Sequence, residues 1–343
     1  MAEDVQTAAS STHPDGSDGS PKSDGGVGRQ VWDRLKSMNM LILPIIAFMI
    51  LMSALSPQFL TTANQYSMLR AASIFVIIGV GQAFVMCSRN IDLSVGSMLG
   101  LIMGVVGTFL FGGGSIFLAV LLALGMGAAL GMFNGVVVTF LKVPALLATL
   151  GTLVAFRGLV NQYMYGSTVS RFPEPIVWLG QGRIFEIPVP IFFAAGTAIL
   201  GSVLYRYTRF GRYAIAIGGN EEAAILAGIR VRFWKISFFM FQGACVGLAA
   251  LIFLGRLDAA HPGVGTALEL HVIAGVVLGG TILFGGYATM WGVVLGMFLI
   301  ELIGNGLLLS GAGFFWQMVL LGFMLILAVA LQMFKYRKQT AFG

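Results

Sequence analysis

Residues 93–141 read LSVGSMLGLIMGVVGTFLFGGGSIFLAVLLALGMGAALGMFNGVVVTFL, 49 residues without one Asp, Glu, Lys or Arg. A helix needs about 20 apolar residues to cross the hydrocarbon core of a bilayer, so this run is too long for one crossing and suits two. Gly112-Gly113-Gly114 sits between them as the natural turn. An apolar stretch of this length with no alternating pattern argues for helices in lipid and against a β-barrel, whose strands alternate over short segments.

Working outward, the rest of the chain has the same character. Only 10% of its residues are charged and 57% are hydrophobic, with mean hydropathy +0.90, whereas a water-soluble domain carries about 25% charge. Lipid therefore solvates much of the surface. The expectation is an all-α polytopic membrane protein with about ten transmembrane helices. By length they fall near 39–55, 68–87, 96–112, 115–139, 144–165, 190–206, 235–254, 269–284, 289–309 and 314–334, the third and eighth being short.

Residues 1–28 hold no apolar run and are rich in Ser, Gly and Asp, too polar to offset the entropy of ordering. We expect a disordered tail through residue 38, with no cleaved signal peptide because no apolar h-region lies near the start. A transmembrane domain over 39–334 and a short tail over 335–343 follow. Arg29, Arg34 and Lys36 precede the first span; Arg206, Arg209, Arg212, Arg230, Arg232 and Lys235 share one loop; Lys335, Arg337 and Lys338 close the chain. With an even number of spans, these and Lys142 fall on one side, so both termini are expected in the cytoplasm. The opposite loop, 166–189, balances Arg171 and Arg183 against Glu174 and Glu186. The net charge of +6 thus marks membrane topology, not a nucleic-acid surface.

Glycines recur four apart, as in Gly100/Gly104, Gly127/Gly131/Gly135, Gly243/Gly247, Gly275/Gly279 and Gly292/Gly296. Small residues at that spacing let helix backbones approach closely in lipid; the same smooth faces would also let helices shift. Asn134-Gly135 at the end of the fourth span and Asn305-Gly306 at the end of the ninth hint at duplication, which transporters commonly carry. Cys87 and Cys245 lie in apolar runs and read as small buried hydrophobes. His13, His261 and His271 lack Cys or acidic partners at ligand spacing, so neither a metal nor another cofactor is expected.

The longest polar stretch after the N-terminal tail is the loop 207–234, containing GGNEEAAILAGIRV at 218–231. Asn220 can cap a helix, Glu221 and Glu222 suit its positive first turn, Ala223 and Ala224 propagate it, and Gly228 can stop it. That predicts a short helix outside the membrane. As plain structure it would be a solvated connector. No G-x-x-x-x-G-K-[ST] occurs, so the chain has no Walker-type ATP site, and no nucleophile–base or carboxylate pair suggests an enzyme.

Glu222-Ala223-Ala224-x-x-x-Gly228 resembles the EAA loop of ABC-importer permeases. Ile91-Asp92-Leu93-Ser94-Val95-Gly96-Ser97 resembles the IDLSVGS signature of the ribose-type monosaccharide branch. The segments 134–158, 247–281 and Asn305-Gly306-Leu307 are similar to later stretches of that branch, in order, from about residue 40 to 333. Two places depart from it, Cys87-Ser88-Arg89-Asn90 and Tyr287-Ala288-Thr289-Met290. The resemblance implies a transmembrane subunit that pairs with a second permease, an ATPase subunit docked on its cytoplasmic loops, and a periplasmic or extracellular sugar-binding protein that sets most of the specificity. It implies that 218–231 is the coupling helix, with Asn220, Glu221, Glu222, Ala223, Ala224 and Gly228 as its contact and fit residues, and that ATP is hydrolysed on the separate subunit.

Charge at membrane depth is costly and faces a partner or a cavity. Asp92 reads as an ion pair with Arg89 or a helix cap, Arg157 as paired or path-lining, and Glu269 as interfacial. Glu301 has no partner in sequence and could line the path or serve as a proton-linked site. Asp92, Asn134, Arg157, Glu301 and Asn305 are the candidate path residues, with Gln82 and Phe156 as further sugar-facing groups. A secondary transporter or channel coupled through Glu301 or Asp92 is the alternative, but such a carrier has no need of the amphipathic cytoplasmic helix. An intramembrane enzyme would want a clustered nucleophile, metal or carboxylate pair at depth.

Overall fold

The computed structural model describes residues 26–340; the predicted tail before residue 26 and the last three residues lie outside that range. The chain divides into two units, Met1–Lys36 and Ser37–Gly343, and apart from the first turns of α1 the second holds all that follows. The helices are α1 (Gly26–Leu55), α2 (Thr62–Cys87), α3 (Val95–Phe111), α4 (Ile116–Phe140), α5 (Ala145–Met164), α6 (Glu174–Gln181), α7 (Val189–Tyr207), α8 (Arg209–Gly219), α9 (Glu221–Leu226), α10 (Val231–Leu257), α11 (Leu268–Leu278), α12 (Met290–Leu309) and α13 (Phe314–Thr340). Strands are vestigial. β1 (Val169–Ser170) pairs antiparallel with β4 (Ala259–Ala260), and β2 (Arg183–Ile184) with β3 (Ile187–Pro188).

Six helices, α2, α4, α5, α7, α10 and α12, are long and apolar enough to cross a membrane. The other four predicted spans carry shorter apolar helices, at Leu41–Leu55, Val95–Phe111, Leu268–Leu278 and Phe315–Ala330. The glycine turn falls where expected: α3 ends at Phe111, Gly113 takes φ +82°, and α4 starts at Ile116. The predicted eighth span, 269–284, stops earlier as a helix. Gly279-Gly280 end α11, and Gly280, Gly285 and Gly286 all adopt positive φ in the stretch before Thr289 caps α12. Two further helices, α6 and α8, occupy stretches read as loop.

The glycine rows seat helix on helix. A Cβ at Gly127 would strike the carbonyl of Gly243, and one at Gly243 would strike that of Gly127. Gly131 meets the Phe239 carbonyl in the same way, and Gly247 that of Ala123. Along this seam α4 and α10 are backbone against backbone. A second seam joins α11 to α12, with Gly279 against the Gly292 carbonyl and Gly296 against that of Gly275. Around them α2 is the central element, buried over most of its length, whereas α4 leaves most of its surface outside. The polar breaks are tied locally: Asp258, left-handed at φ 48°, accepts from the Phe172 amide at 2.8 Å beside the β1–β4 pair.

Gly243→Val should therefore cost at least about 1–3 kcal/mol, since backbone cannot yield as a side chain can. Gly125→Ala, on the same α4 but with nothing within 4 Å, should be neutral. Thermal unfolding in detergent micelles checks the pair, and equal midpoints for both variants would show that the seam is not tight.

Candidate functional site

The segment after α7 is built as a corner and two short helices. Thr208 caps α8, accepting from the Phe210 amide at 3.1 Å. Gly211 fits the corner because a Cβ there would fall on the Tyr205 carbonyl. α8 is amphipathic, burying Gly211, Ala214, Ile217 and Gly218, which sequence reading missed because its glycines look like loop. Asn220 then ends α8 and caps α9, its Oδ1 accepting from the Ala223 amide at 3.0 Å. Glu221 in the first turn pairs with Lys235 of α10 at 2.7 Å. Ala224 is buried, while Glu222 and Gly228 are exposed. Gly228 takes φ +80° just beyond the last turn, so the helix within 218–231 is the six residues Glu221–Leu226.

What α9 presents is apolar. Ile225 is 56% exposed and Leu226 89%, on an element too short to bury them. Beside it lies a groove of about 830 Å³ lined by Val138, Lys142, Ile225, Ile229, Arg232 and Lys235 among others. Lys142, Arg230, Arg232 and Lys235 thus share the walls of this groove, and Arg232 stacks over the Phe140 ring at 5.7 Å.

The other candidate residues are spread through the protein, with one pair brought together. Asp92, 0% exposed, lies in the stretch joining α2 to α3. Its Oδ1 accepts from the Ser94 amide at 2.8 Å and hydroxyl at 2.7 Å, and Asn134 of α4 donates to Ser94 Oγ at 2.8 Å and to both Asp92 oxygens at 3.4 Å. Neither reading of Asp92 holds as stated: the N-cap of α3 is Ser94, and Asp92's partners are Ser94 and Asn134, not Arg89. Thr149 of α5 ties the same stretch through the Ile91 carbonyl at 3.2 Å.

Arg157 of α5 grips a loop on the far side, donating from Nη1 to the Pro262 carbonyl at 2.6 Å and the Val264 carbonyl at 2.7 Å, with Glu269 the carboxylate nearest in charge. Asn305 of α12 exchanges two amide hydrogen bonds with Asn64 of α2, at 2.8 and 3.0 Å. Glu301 of α12 makes no ion pair within 4 Å among the described residues, although the charge of Arg256 of α10 reaches it. Gln82, named as a sugar-facing group, is fully buried and accepts from Gln242 Nε2 of α10 at 3.1 Å. Neither Asn64 nor Gln242 was singled out in the sequence, because each partner stands on another helix. Among the described residues no group of three His, Cys, Asp or Glu side chains could hold a metal ion.

Residues 65–329 match the family described as branched-chain amino acid transport system / permease component. Among similar proteins, the ribose import permease protein of Escherichia coli K12 is 36% identical over 292 residues, which cover 84% of this chain and 91% of that protein. The ribose import permease protein of Bacillus subtilis 168 is 37% identical over 87% of this chain and 92% of its own length. The D-allose transport system permease protein of E. coli K12 is 34% identical over 88% and 91%. No solved structure matches.

The Asp92–Asn134 contact predicts coupled losses. Asp92→Ala and Asn134→Ala should each cost about 1–3 kcal/mol by leaving buried polar groups without partners. The double variant should cost less than their sum, by about 0.5–3 kcal/mol. Denaturation in mixed micelles measures the cycle, and strictly additive losses would show that the two residues do not share one network.

Proposed function

Because the chain belongs to the family described as branched-chain amino acid transport system / permease component, we propose that it is the membrane-spanning subunit of an ATP-driven, binding-protein-dependent importer in the bacterial inner membrane, and that its solute is a monosaccharide or related polyol. The family description names amino acids, but the relatives that this chain matches over nearly their full length are named for ribose, D-allose and, at 30% and 32% identity, xylose. Those names support a sugar.

The single observation that carries the ATP-driven reading is α9. A short helix held at its first turn, by the Asn220 cap and the Glu221–Lys235 pair, presents Ile225 and Leu226 at an end of the bundle that carries several cations. Lys and Arg accumulate on the cytoplasmic side, where lipid cannot cover two apolar side chains, so a protein partner must. A separate ATPase subunit seated there would supply what this chain lacks, a source of free energy that favours one conformation over another. The same charge distribution supports cytoplasmic termini and about ten crossings, the four shorter apolar helices completing the six long ones.

A second permease subunit encloses the path with this one. Of the candidate path residues, Asp92 and Asn134 are turned into the protein, Arg157 is engaged with loop carbonyls, and Asn305 with Asn64. Their part is to hold the walls of the path.

Gentle affinity purification from native membranes should recover a P-loop ATPase with the wild-type chain. Glu222→Arg places a cation among cations, and Gly228→Trp puts a side chain where φ is +80°. Each should lower recovery of that subunit at least tenfold, about 1.4 kcal/mol of docking free energy, with the permease at normal membrane level. Repeated recovery of folded permease alone would move the reading to a secondary transporter.

A further inference from the structure

Two non-helical connectors interrupt the bundle, 88–94 between α2 and α3 and 279–289 between α11 and α12. They meet each other. The Gly286 amide donates to the Cys87 carbonyl at 2.8 Å, so the end of α2 satisfies a backbone group of the second connector. Gly285 lies against Arg89 of the first connector, with its own φ at +87°.

The corner from α7 into α8 closes over this junction. From the last turn of α7, the Tyr205 hydroxyl accepts from the Ala288 amide at 3.0 Å and shares a hydrogen bond with the Cys87 thiol. One side chain thereby ties the end of α2, from which the first connector leaves, to the second connector. From the last turn of α8, Gly218 lies directly on the junction: a Cβ there would land on the Cys87 carbonyl oxygen and crowd the Gly286 amide, and the Gly218 carbonyl abuts Gly285. Three backbones touch with no side chain between them. Close-packed contacts of that kind pass displacement on instead of absorbing it in rotamers.

α8 can carry such a displacement because it is fixed to its surroundings by rings. Phe210 packs on Phe84 of α2 at 5.0 Å and on Phe238 of α10 at 4.8 Å, and Tyr213 on Trp234 at 4.9 Å. One residue, Asn220, separates it from α9.

Resting on the importer reading above, we propose that the α7–α8 corner, with Tyr205 and Gly218 as its two positioning residues, is the joint that passes movement of α9 to both connectors at once, and through them to the first turns of α3 and α12. α9 receives the ATPase subunit; the corner converts its motion into rearrangement of the bundle. Tyr205 and Gly218 touch neither nucleotide nor solute.

The test uses the permease purified with its ATPase subunit in lipid nanodiscs. An environment-sensitive fluorophore is placed at Phe185→Cys, 94% exposed in the β2–β3 hairpin away from α9; the native cysteines are buried and stay unlabelled. Tyr205→Phe and Gly218→Ala should keep the ATPase subunit and hydrolyse ATP, yet lose amplitude in the ATP-dependent signal, by about fivefold where one hydrogen bond is removed. Gly219→Ala, with nothing within 4 Å, should behave as wild type. Should Gly218→Ala fail to assemble, Tyr205→Phe decides alone.

Wild-type amplitude in Tyr205→Phe, an equal loss in Gly219→Ala, or a loss matched by departure of the ATPase subunit would each overturn the joint. So would a wild-type complex that hydrolyses ATP with no signal. A wild-type permease that brings no ATPase subunit at all instead overturns the importer reading on which the joint rests.

Discussion

The contact on which the bundle depends is glycine against carbonyl between α4 and α10. In water, two helices gain by hiding apolar side chains from solvent; in lipid that gain vanishes, and dispersion between closely approaching backbones has to replace it. Gly127, Gly131, Gly243 and Gly247 permit that approach, each occupying a place where a Cβ would sit on a facing carbonyl. The consequence is a rigid pair. α10 is pinned to α4 on one face and packs against α2 on another, and its first turns carry Trp234 and Phe238 into the ring cluster around Phe210. A similar seam fixes α11 to α12 through Gly275, Gly279, Gly292 and Gly296. What remains free to move is whatever lies between the seams.

Polar side chains occupy the breaks in the helices, for a related reason. Within hydrocarbon each backbone N–H and C=O must find a partner inside the protein, and a helix that stops leaves such groups open. Ser94 at the entry to α3 is met by Asp92, whose carboxylate takes both its amide and its hydroxyl. The carbonyls of Pro262 and Val264, in a loop with no helical partner, are met by Arg157. The carbonyls of Val277 and Thr281, at the end of α11, both accept from Gln332 of α13, and the Leu283 amide donates to the same side chain. Two of the residues that looked expensive in the sequence, Asp92 and Arg157, therefore satisfy backbone groups left open at such breaks.

This also explains what could be read in advance. The uncharged run 93–141 and its glycine triplet required no knowledge of tertiary structure, since length and composition suffice for two spans and a turn. The Asn220 cap was local as well, its acceptor three residues from its donor. By contrast, α11 ends at Leu278 with its Val277 carbonyl taken up by Gln332, a partner that stands far away in the chain. α8 read as loop because Gly211, Gly218 and Gly219 are poor helix formers; its helix is paid for by contacts that its glycines make with Tyr205, Cys87 and Gly286. Asn305 gained a partner, Asn64, that no spacing rule could supply.

Rigid seams and cross-satisfied breaks together define how such a bundle can change shape. If each connector satisfied its own backbone groups, either could shift while the other stayed. Here the Gly286 amide spends its hydrogen bond on Cys87, and the Ala288 amide spends its own on Tyr205, which also holds Cys87. Moving one connector alone would strand a buried donor, at a cost of about 1–3 kcal/mol for each group left without a partner. The lower-energy course is for both to move together with the α7–α8 corner that spans them. Cooperativity in this bundle thus follows from hydrogen-bond accounting at two interruptions, and it needs no continuous wire of side chains through the membrane.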